Sequence, residues 1–408
     1  MKNKKIAIIG LSHLGMVTTA CMSQLGYEIK AIDFNEELIE KYKNNIIDLK
    51  EPYVKLTLEA NENKISYSTG EKLNDCDYIW ITIDMPLTEE GKPDENKFDS
   101  YIDKIIALSP EDSKIIVSSQ VKLGTTEQIL ARFNKLAKNV IICYSPENLR
   151  LGESMKLFLN PDRIVIGCNY EERAHFTSLF ESITKSENLL WMEIKEAELA
   201  KHAINSFLAT CIVYINQLSE LCEKNNLSCE QITKALKSES RIGSKLPLMA
   251  GLPFAGGTLP RDLYYLSELF GKNNLFDDLL NYNDLHRMWI MRQVLKYFGT
   301  FNNIFNKKFL IVGLSYKEGI NDSRFSEATK FIEKIKQFTS SITLFDEKFD
   351  GELNFNNFDY DCVVMFNKSK IILDKLGEIT HKILVIDPNN VCKGNFHANI
   401  VFRKVGEK

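Results

Sequence analysis

The sequence predicts an α/β fold, in which two doubly wound parallel sheets are joined by a central helical region with one long helix. Three observations indicate this fold. Short apolar runs alternate with amphipathic stretches in the first half of the chain, a long helical pattern follows over residues 196–225, and the alternation returns from residue 307. Strands alternating with helices are typical of parallel sheets. The predicted domains are residues 1–195, 196–300 and 301–408.

The strands of the first domain are expected where short apolar runs stand between turn residues. Such runs are typical of parallel strands that are buried on both faces. The first run covers residues 6–9, and residues 14–25 have the pattern of the helix that follows it. The further strand candidates in this domain are residues 28–33, 77–83, 114–118, 139–143 and 163–167.

The central region has a different periodicity. Apolar residues recur at helical spacing from residue 196 to about 225 without an interrupting Gly or Pro, which predicts one long helix. We expect further helix through about residue 298 and a dimer surface on this region. The second sheet is then predicted from strand candidates at residues 309–312, 341–345, 361–366 and 383–386.

Composition argues against several classes of partner. The net charge is −4 and no basic block occurs, so neither nucleic acid nor a membrane surface is an expected partner. The apolar run near the N-terminus is too short for a signal peptide or a membrane span. The 9 cysteines stand singly, without a CxxC pair or zinc-like spacing. We therefore expect reduced thiols, a cytoplasmic location and no bound metal.

A glycine turn between the first strand and helix predicts a dinucleotide site. It reads Gly10-Leu11-Ser12-His13-Leu14-Gly15, and Asp33 ends the next strand. A glycine turn opening a helix, with an acidic residue roughly 20 positions further on, is the fingerprint of a Rossmann-like domain. The helix N-terminus can bind a pyrophosphate, and Asp33 can accept ribose hydroxyls while repelling a 2′-phosphate. The expected cofactor is therefore NAD, bound by Gly10, Ser12, Leu14, Gly15 and Asp33.

Three residues near these motifs allow a functional and a structural interpretation. His13 lies inside the turn, where it either touches the cofactor or faces solvent as a loop residue. Cys143 is interpreted as a buried strand cysteine rather than a reactive thiol. His202 neighbours a lysine on the long helix but points about 100° away from it, so we interpret it as structural.

Four further segments give the chain a resemblance to a known family. They are residues 143–152, 201–205, 254–262 and 313–324, which read CYSPENLRLG, KHAIN, FAGGTLPRD and GLSYKEGINDSR. In order and spacing this set resembles the UDP-glucose/GDP-mannose dehydrogenase family. The resemblance implies an NAD-dependent enzyme with two Rossmann-like domains, which oxidises C6 of a nucleotide-linked hexose twice. In that family a cysteine thiolate adds to the aldehyde, and water releases the acid from the thioester.

The resemblance also implies a set of catalytic residues. Lys201 and Asn205 correspond to the pair that stabilises the developing oxyanion, which an ammonium and an amide can do. Glu147 corresponds to the carboxylate that assists proton transfer and hydrolysis. Asp262 corresponds to the carboxylate that orders the lysine and a water. Ser119 stands where the family usually has a threonine near that water.

Binding residues follow from the same comparison. Pro86, Ser119 and Arg324 are expected to contact the cofactor in addition to the glycine turn. Arg241 corresponds to an arginine that reaches the substrate across the dimer. The full set of expected substrate contacts is Glu147, Leu149, Arg150, Lys201, Asn205, Arg241, Phe254, Gly257 and Lys317.

The chain departs from the family pattern where chemistry would be affected. Aligned on Pro260 and Asp262, Thr258 stands at the position of the nucleophilic cysteine, and a threonine hydroxyl is a far weaker nucleophile. Smaller departures are Ser12 for a glycine, Arg261 for a lysine, Met85 for a threonine and Asn389 near a sugar-binding arginine.

These departures leave alternatives open. An active enzyme would either stop after one hydride or reach the acid through the hydrated aldehyde, with Glu147 and Asp262 handling proton and water. The alternative is a non-catalytic protein that binds NAD or a nucleotide-sugar. The expected partners are a nucleotide-sugar substrate, of the UDP-glucose type, and a second copy of the chain. The resemblance implies a role in making precursors of surface polysaccharide such as capsule.

Overall fold

A computed structural model describes residues 4–49, 51–88, 93–147, 149–314, 326–347, 358–392 and 397–407. The chain forms two compact units, Met1–Ala203 and Ile204–Lys408. The predicted division into three domains stays a prediction. No helix within the described ranges is both long and apolar enough to cross a bilayer.

The first unit is built on an eight-stranded sheet. Its strands are β1 (Lys5–Ile9), β2 (Glu28–Ile32), β3 (Ile65–Ser68), β4 (Tyr78–Ile81), β5 (Lys114–Val117), β6 (Ile141–Tyr144), β7 (Ile164–Gly167) and β8 (Leu189–Met192). The order across the sheet is β3-β2-β1-β4-β5-β6-β7-β8. Neighbours are parallel except β6 and β7. The central strands are apolar on both faces because helices cover both faces, as expected for a doubly wound sheet.

Helices connect these strands and pack on both faces of the sheet. They are α1 (His13–Gln24), α2 (Glu36–Lys43), α3 (Val54–Ala60), α4 (Glu95–Leu108), α5 (Thr125–Lys135), α6 (Ser154–Leu159) and α7 (Ala174–Phe180). One apolar core includes Met16, Trp80 and Phe158. A second includes Ile81, Phe98 and Phe133. Strand β1 contributes alternate residues to both cores, which fixes the turn that follows it.

The long helix α8 (Ile194–Asn225) follows, as the uninterrupted apolar period predicts. The remaining helices of this region are α9 (Cys229–Ser238), α10 (Thr258–Phe270), α11 (Leu275–Arg287) and α12 (Trp289–Phe298). The predicted further helix through about residue 298 is interrupted between Ser238 and Thr258. Gly243 and Gly256 have left-handed backbones there, with φ of +82° and +78°. Together with Pro247 and Pro253 they interrupt the helix.

A second sheet completes the Ile204–Lys408 unit. Its strands are β9 (Phe309–Val312), β10 (Ile342–Phe345), β11 (Cys362–Met365), β12 (Ile383–Asp387) and β13 (Ile400–Lys404), with helices α13 (Glu327–Ile335) and α14 (Lys370–Gly377). The order is β10-β9-β11-β12-β13, and all pairs are parallel. This is the second of the two doubly wound orders common in nucleotide-binding proteins. The predicted fold class, two Rossmann-like domains around a helical region, is confirmed.

Candidate active site

The dinucleotide turn requires glycine at the two positions where the sequence has it. Gly10 follows β1 with φ +100°, and a Cβ there would lie 2.6 Å from the Cα of Ile83. A Cβ on Gly15 would lie 1.9 Å from the Gly10 carbonyl oxygen. The turn therefore closes, and α1 approaches the strand, only because both side chains are absent. Leu14 lies between them in the first turn of α1.

Asp33 lies just beyond β2, where it helps to close the same turn. One carboxylate oxygen accepts the Leu11 N–H at 2.8 Å, and the other accepts the Asn35 N–H at 3.0 Å. The Tyr42 hydroxyl donates to the Leu11 carbonyl at 3.0 Å. An ionised carboxylate has about four acceptor sites, so Asp33 keeps capacity for ribose hydroxyls.

A cavity of about 180 Å³ opens at this edge of the sheet, and its lining includes Gly10, Ser12, Asp33 and Pro86. The Ser12 hydroxyl is buried, and within the described part of the chain it has no hydrogen-bond partner. A buried hydroxyl beside a helix N-terminus is suited to donate a hydrogen bond to a phosphate oxygen. These features fit a bound NAD, whose nicotinamide ring accepts a hydride.

Ser119 lies just after β5, at the carboxyl end of the sheet, and is 1% exposed. Its hydroxyl also has no hydrogen-bond partner among the described residues. This is consistent with a role toward a ligand or an ordered water, because buried polar groups are normally satisfied. The predicted contacts Lys317 and Arg324 lie outside the described residues.

Glu147 and Lys201 come together within the first unit. Glu147 follows β6, and its backbone carbonyl accepts a hydrogen bond from the Lys201 Nζ at 2.7 Å. Lys201 lies on α8 and is only 9% exposed. Burial raises the pKa of the Glu147 carboxyl to about 7, against a smaller lowering by the Lys201 charge. A carboxyl that titrates near neutrality is suited to accept and return a proton.

Asn205 and Asp262 form a buried pair within the second unit. The Asn205 Nδ2 donates to the Asp262 Oδ2 at 2.5 Å. Their exposures are 6% and 0%, so the hydrogen bond is shielded from water. Asn205 stands one helical turn after Lys201 on α8, which places the ammonium and the amide on one face of that helix. Asp262 fixes the orientation of the amide, because a carboxylate can only accept.

Thr258 is the first residue of α10, one turn before Asp262, and it is exposed. The end of the FAGGTLPRD motif therefore forms the first turn of a helix, with Gly257 as its N-cap. Leu149 is partly buried and Arg150 is exposed, directly after Glu147 and the undescribed residue 148. Arg241 is exposed and its guanidinium pairs with Glu239 at 2.9 Å.

The segment before α10 is anchored by buried polar residues that sequence reasoning missed. The Asn216 amide accepts from the Gly251 N–H at 3.0 Å, and the Asn283 Oδ1 accepts from the Phe254 N–H at 2.9 Å. His286 holds the Gly251 carbonyl at 2.9 Å. Each anchor is at most 3% exposed. A polar residue inside an apolar helical period is the signal that could have identified them.

These anchors shape a second cavity of about 400 Å³ within the second unit. Apolar walls come from Met249, Phe254 and Phe366, and polar groups come from Glu327 and Asn389. The Asn389 Nδ2 donates to the Phe366 carbonyl at 2.9 Å. A mostly apolar cavity with a few polar groups is typical of a small-molecule site.

We expect Asn283→Ala to lower the free energy of unfolding by about 2 kcal/mol, because the buried N–H and C=O of Phe254 would both lose their partner. Chemical denaturation followed by circular dichroism measures this change. Asn281→Ala, at an exposed position of the same helix, should change it by less than about 0.5 kcal/mol. Equal losses in the two variants would show that the anchor contributes no stability.

The sheet order and the glycine turn define the first unit as a dinucleotide-binding domain of the NAD type. Comparison with known proteins agrees. The profile of the UDP-glucose/GDP-mannose dehydrogenase family, NAD binding domain, matches residues 4–184, and the profile of that family's central domain matches residues 195–284. The chain belongs to the UDP-glucose/GDP-mannose dehydrogenase family, an NAD-dependent family of nucleotide-sugar dehydrogenases.

Similar proteins cover most of the chain. The UDP-glucose 6-dehydrogenase of Rickettsia bellii is 27% identical over 99% of both chains, and that of Rickettsia felis is 29% identical over 84% of this chain and 78% of its own. Among solved structures, the UDP-D-ManNAc dehydrogenase of Pyrococcus horikoshii has a TM-score of 0.87 at 21% identity, covering 98% of this chain and 99% of its own. That structure supports the fold.

Proposed function

We propose that this chain oxidises a primary hydroxyl, at C6, of a UDP-linked hexose with NAD as hydride acceptor. The observation that carries the proposal is the buried Lys201, whose Nζ donates to the backbone carbonyl of Glu147. Burial raises the pKa of the Glu147 carboxyl to about 7. The relatives named UDP-glucose 6-dehydrogenase support a uridine nucleotide and glucose as the first candidates. The product would serve as a precursor of surface polysaccharide.

The chain's own residues have distinct roles in this proposal. Glu147 receives the hydroxyl proton as the carbinol carbon loses its hydride. The Lys201 ammonium stabilises the developing alkoxide, because a buried charge acts strongly where water is excluded. The Asn205 amide, oriented by Asp262, offers a second donor from the same helix face. A separate proposal is that the 400 Å³ cavity of the second unit binds a nucleotide.

We further propose that oxidation stops after one hydride, at the aldehyde. Thr258 stands at the position of the family's cysteine, and its hydroxyl is almost never ionised at neutral pH. Of the 9 cysteines, 8 are buried. Burial raises the pKa of the Cys143 thiol well above its ordinary value, so it offers no thiolate. The second oxidation therefore lacks its covalent intermediate.

The decisive experiment counts the NADH formed per limiting UDP-glucose and identifies the product by mass. UDP-N-acetylhexosamines and GDP-mannose serve as further substrates. One NADH and an aldehyde would support the proposal, whereas two NADH and an acid would require a route through the hydrated aldehyde. Measurable NAD binding without any NADH would favour a non-catalytic binding protein.

Thr258→Cys should raise the yield from one to two NADH per substrate, because it supplies the nucleophile for a thioester. The matched control is Thr258→Ser, which keeps a hydroxyl and should stay at one NADH. Hydroxylamine, a nucleophile that cleaves thioesters, should release a hydroxamate of the sugar acid only from the cysteine variant. If Thr258→Cys still yields one NADH, the position is not that of the nucleophile.

We also propose that the chain forms a homodimer whose interface includes a stripe of exposed apolar residues on α8. Phe207, Tyr214 and Leu221 recur every seven residues and are 54%, 51% and 55% exposed. Large apolar side chains in such a stripe are typical of a helix-packing surface. Light scattering should give twice the 46.8 kDa of one chain, and Phe207→Glu with Tyr214→Glu should give the monomer. A wild-type monomer would contradict the proposal.

A further inference from the structure

A buried carboxylate links the dinucleotide turn to the segment expected to contact the substrate. The side chain of Glu51, which precedes α3, is 1% exposed. Its Oε1 lies 2.9 Å from the His13 Nε2 and accepts the Gly152 N–H at 2.6 Å. The Ser154 hydroxyl donates to the same oxygen at 2.9 Å. One carboxylate thus holds groups that are separated by more than 100 positions in the sequence.

The two ends of this contact belong to different functional segments. His13 is the first residue of α1 and lies between the glycines of the dinucleotide turn. Gly152 and Ser154 follow Arg150, one of the expected substrate contacts. The Ser154 hydroxyl also lies 2.9 Å from the Arg150 carbonyl and 3.4 Å from the His13 Nε2. The side chain of Glu51 thus contacts both the turn and the Arg150–Ser154 segment.

The groups around Glu51 stabilise its ionised carboxylate. Burial alone would raise the pKa of the Glu51 carboxyl, but hydrogen bonds from His13, Gly152 and Ser154 outweigh it, and the pKa is lowered. Charge-assisted hydrogen bonds are shorter and stronger than neutral ones. The His13 side chain is 27% exposed, and its Nε2 lies 2.9 Å from the Glu51 Oε1.

We propose that Glu51 and His13 are positioning residues that couple NAD binding at the turn to the order of residues 150–154. The substrate side of this coupling rests on the proposed function, whereas the cofactor side rests on the family's NAD-binding domain. NAD bound against the turn fixes His13, which holds Glu51, which in turn holds the Gly152 and Ser154 groups. Binding at one segment thereby favours the bound arrangement of the other.

The test is hydrogen–deuterium exchange of the full chain with and without NAD. In the wild type, NAD should slow exchange of the amides of residues 151–155 about tenfold. His13→Ala should reduce this slowing to less than about twofold, even at saturating NAD. Glu51→Gln should do the same, and His13→Ala provides the test if Glu51→Gln fails to fold. Asp77→Asn is the control, because Asp77 accepts the Lys5 N–H at 2.8 Å at the amino end of β1.

Kinetics give a second readout. His13→Ala should raise the KM for the nucleotide-sugar about tenfold with kcat within about threefold, since His13 positions the substrate segment without contacting the reacting atoms. The coupling is overturned if NAD slows exchange at residues 151–155 equally in the wild type and His13→Ala, or in neither. Absence of any sugar oxidation would refute the proposed function and leave the exchange result to decide the coupling.

Discussion

Glu147→Gln is expected to lower kcat by about a thousandfold, because it removes the only proposed proton acceptor. Glutamine has nearly the same shape and cannot be ionised, so NAD affinity should change little and the fold should be retained. Glu111→Gln, at an exposed position of the first unit, is the matched control and should retain full activity. A kcat within threefold of the wild type would show that another group, or water, accepts the proton.

The pH dependence follows from the same carboxyl. The pKa of Glu147 is raised to about 7, so the acceptor form is lost as the pH falls below that value. We expect kcat/KM to drop about tenfold per pH unit below pH 7. This acidic limb of the pH profile of kcat/KM should be absent in Glu147→Gln. If kcat/KM instead fell only near the ordinary pKa of glutamate, a group other than Glu147 would be the proton acceptor.

The raised pKa of Glu147 also determines how its contribution to folding stability changes with pH. An unfolded glutamate titrates near its ordinary value of 4.5, whereas the folded Glu147 keeps its proton to about pH 7. Between these values the folded chain binds more protons than the unfolded chain, so the contribution of Glu147 to stability falls as the pH rises. It is fully present below about pH 4.5.

Lys201→Met is expected to lower kcat by about two to three orders of magnitude, because the alkoxide would lose a buried positive charge. The KM for the nucleotide-sugar should change much less, since the charge acts mainly in the transition state. Removing it should also move the acidic limb of kcat/KM to higher pH, because the Lys201 charge lowers the pKa of Glu147. A shifted limb is a readout that a merely structural lysine would not give.

Lys224→Met is the matched control for this variant, since Lys224 is exposed near the end of the same helix. It should leave kcat, KM and the pH profile unchanged. An increase in KM at unchanged kcat in Lys201→Met would contradict the proposal and indicate that Lys201 only binds the substrate.

The strands that sequence reasoning missed share one property. They are β3, β8 and β13, and each lies at an edge of its sheet. An edge strand is covered less completely and can include polar residues, as in Ile65–Ser68 and Ile400–Lys404. The apolar run Leu189–Met192 was predictable in principle. The central strands were predictable because burial on both faces demands a continuous apolar run.

The candidate site divides in a similar way. Gly10, Gly15 and Asp33 were predictable because their requirements arise within one turn of chain and the strand beside it. The contact between Glu51 and Gly152 could not be predicted, since it joins positions 101 apart that no periodicity relates. The break in helix between Ser238 and Thr258 was predictable in principle from its glycines and prolines.

Asp33 has two roles, one toward the cofactor and one in the glycine turn, and together they constrain how the cofactor preference could change. The carboxylate that would reject a 2′-phosphate is also the acceptor for the Leu11 N–H in the glycine turn. Replacing Asp33 by a small or basic residue to admit NADP would leave that N–H without its acceptor and loosen the turn itself. A switch of cofactor therefore requires at least two linked changes, one that removes the charge and one that restores an acceptor. Single substitutions in a library selected for NADP use should be recovered at other positions around the turn before they are recovered at Asp33.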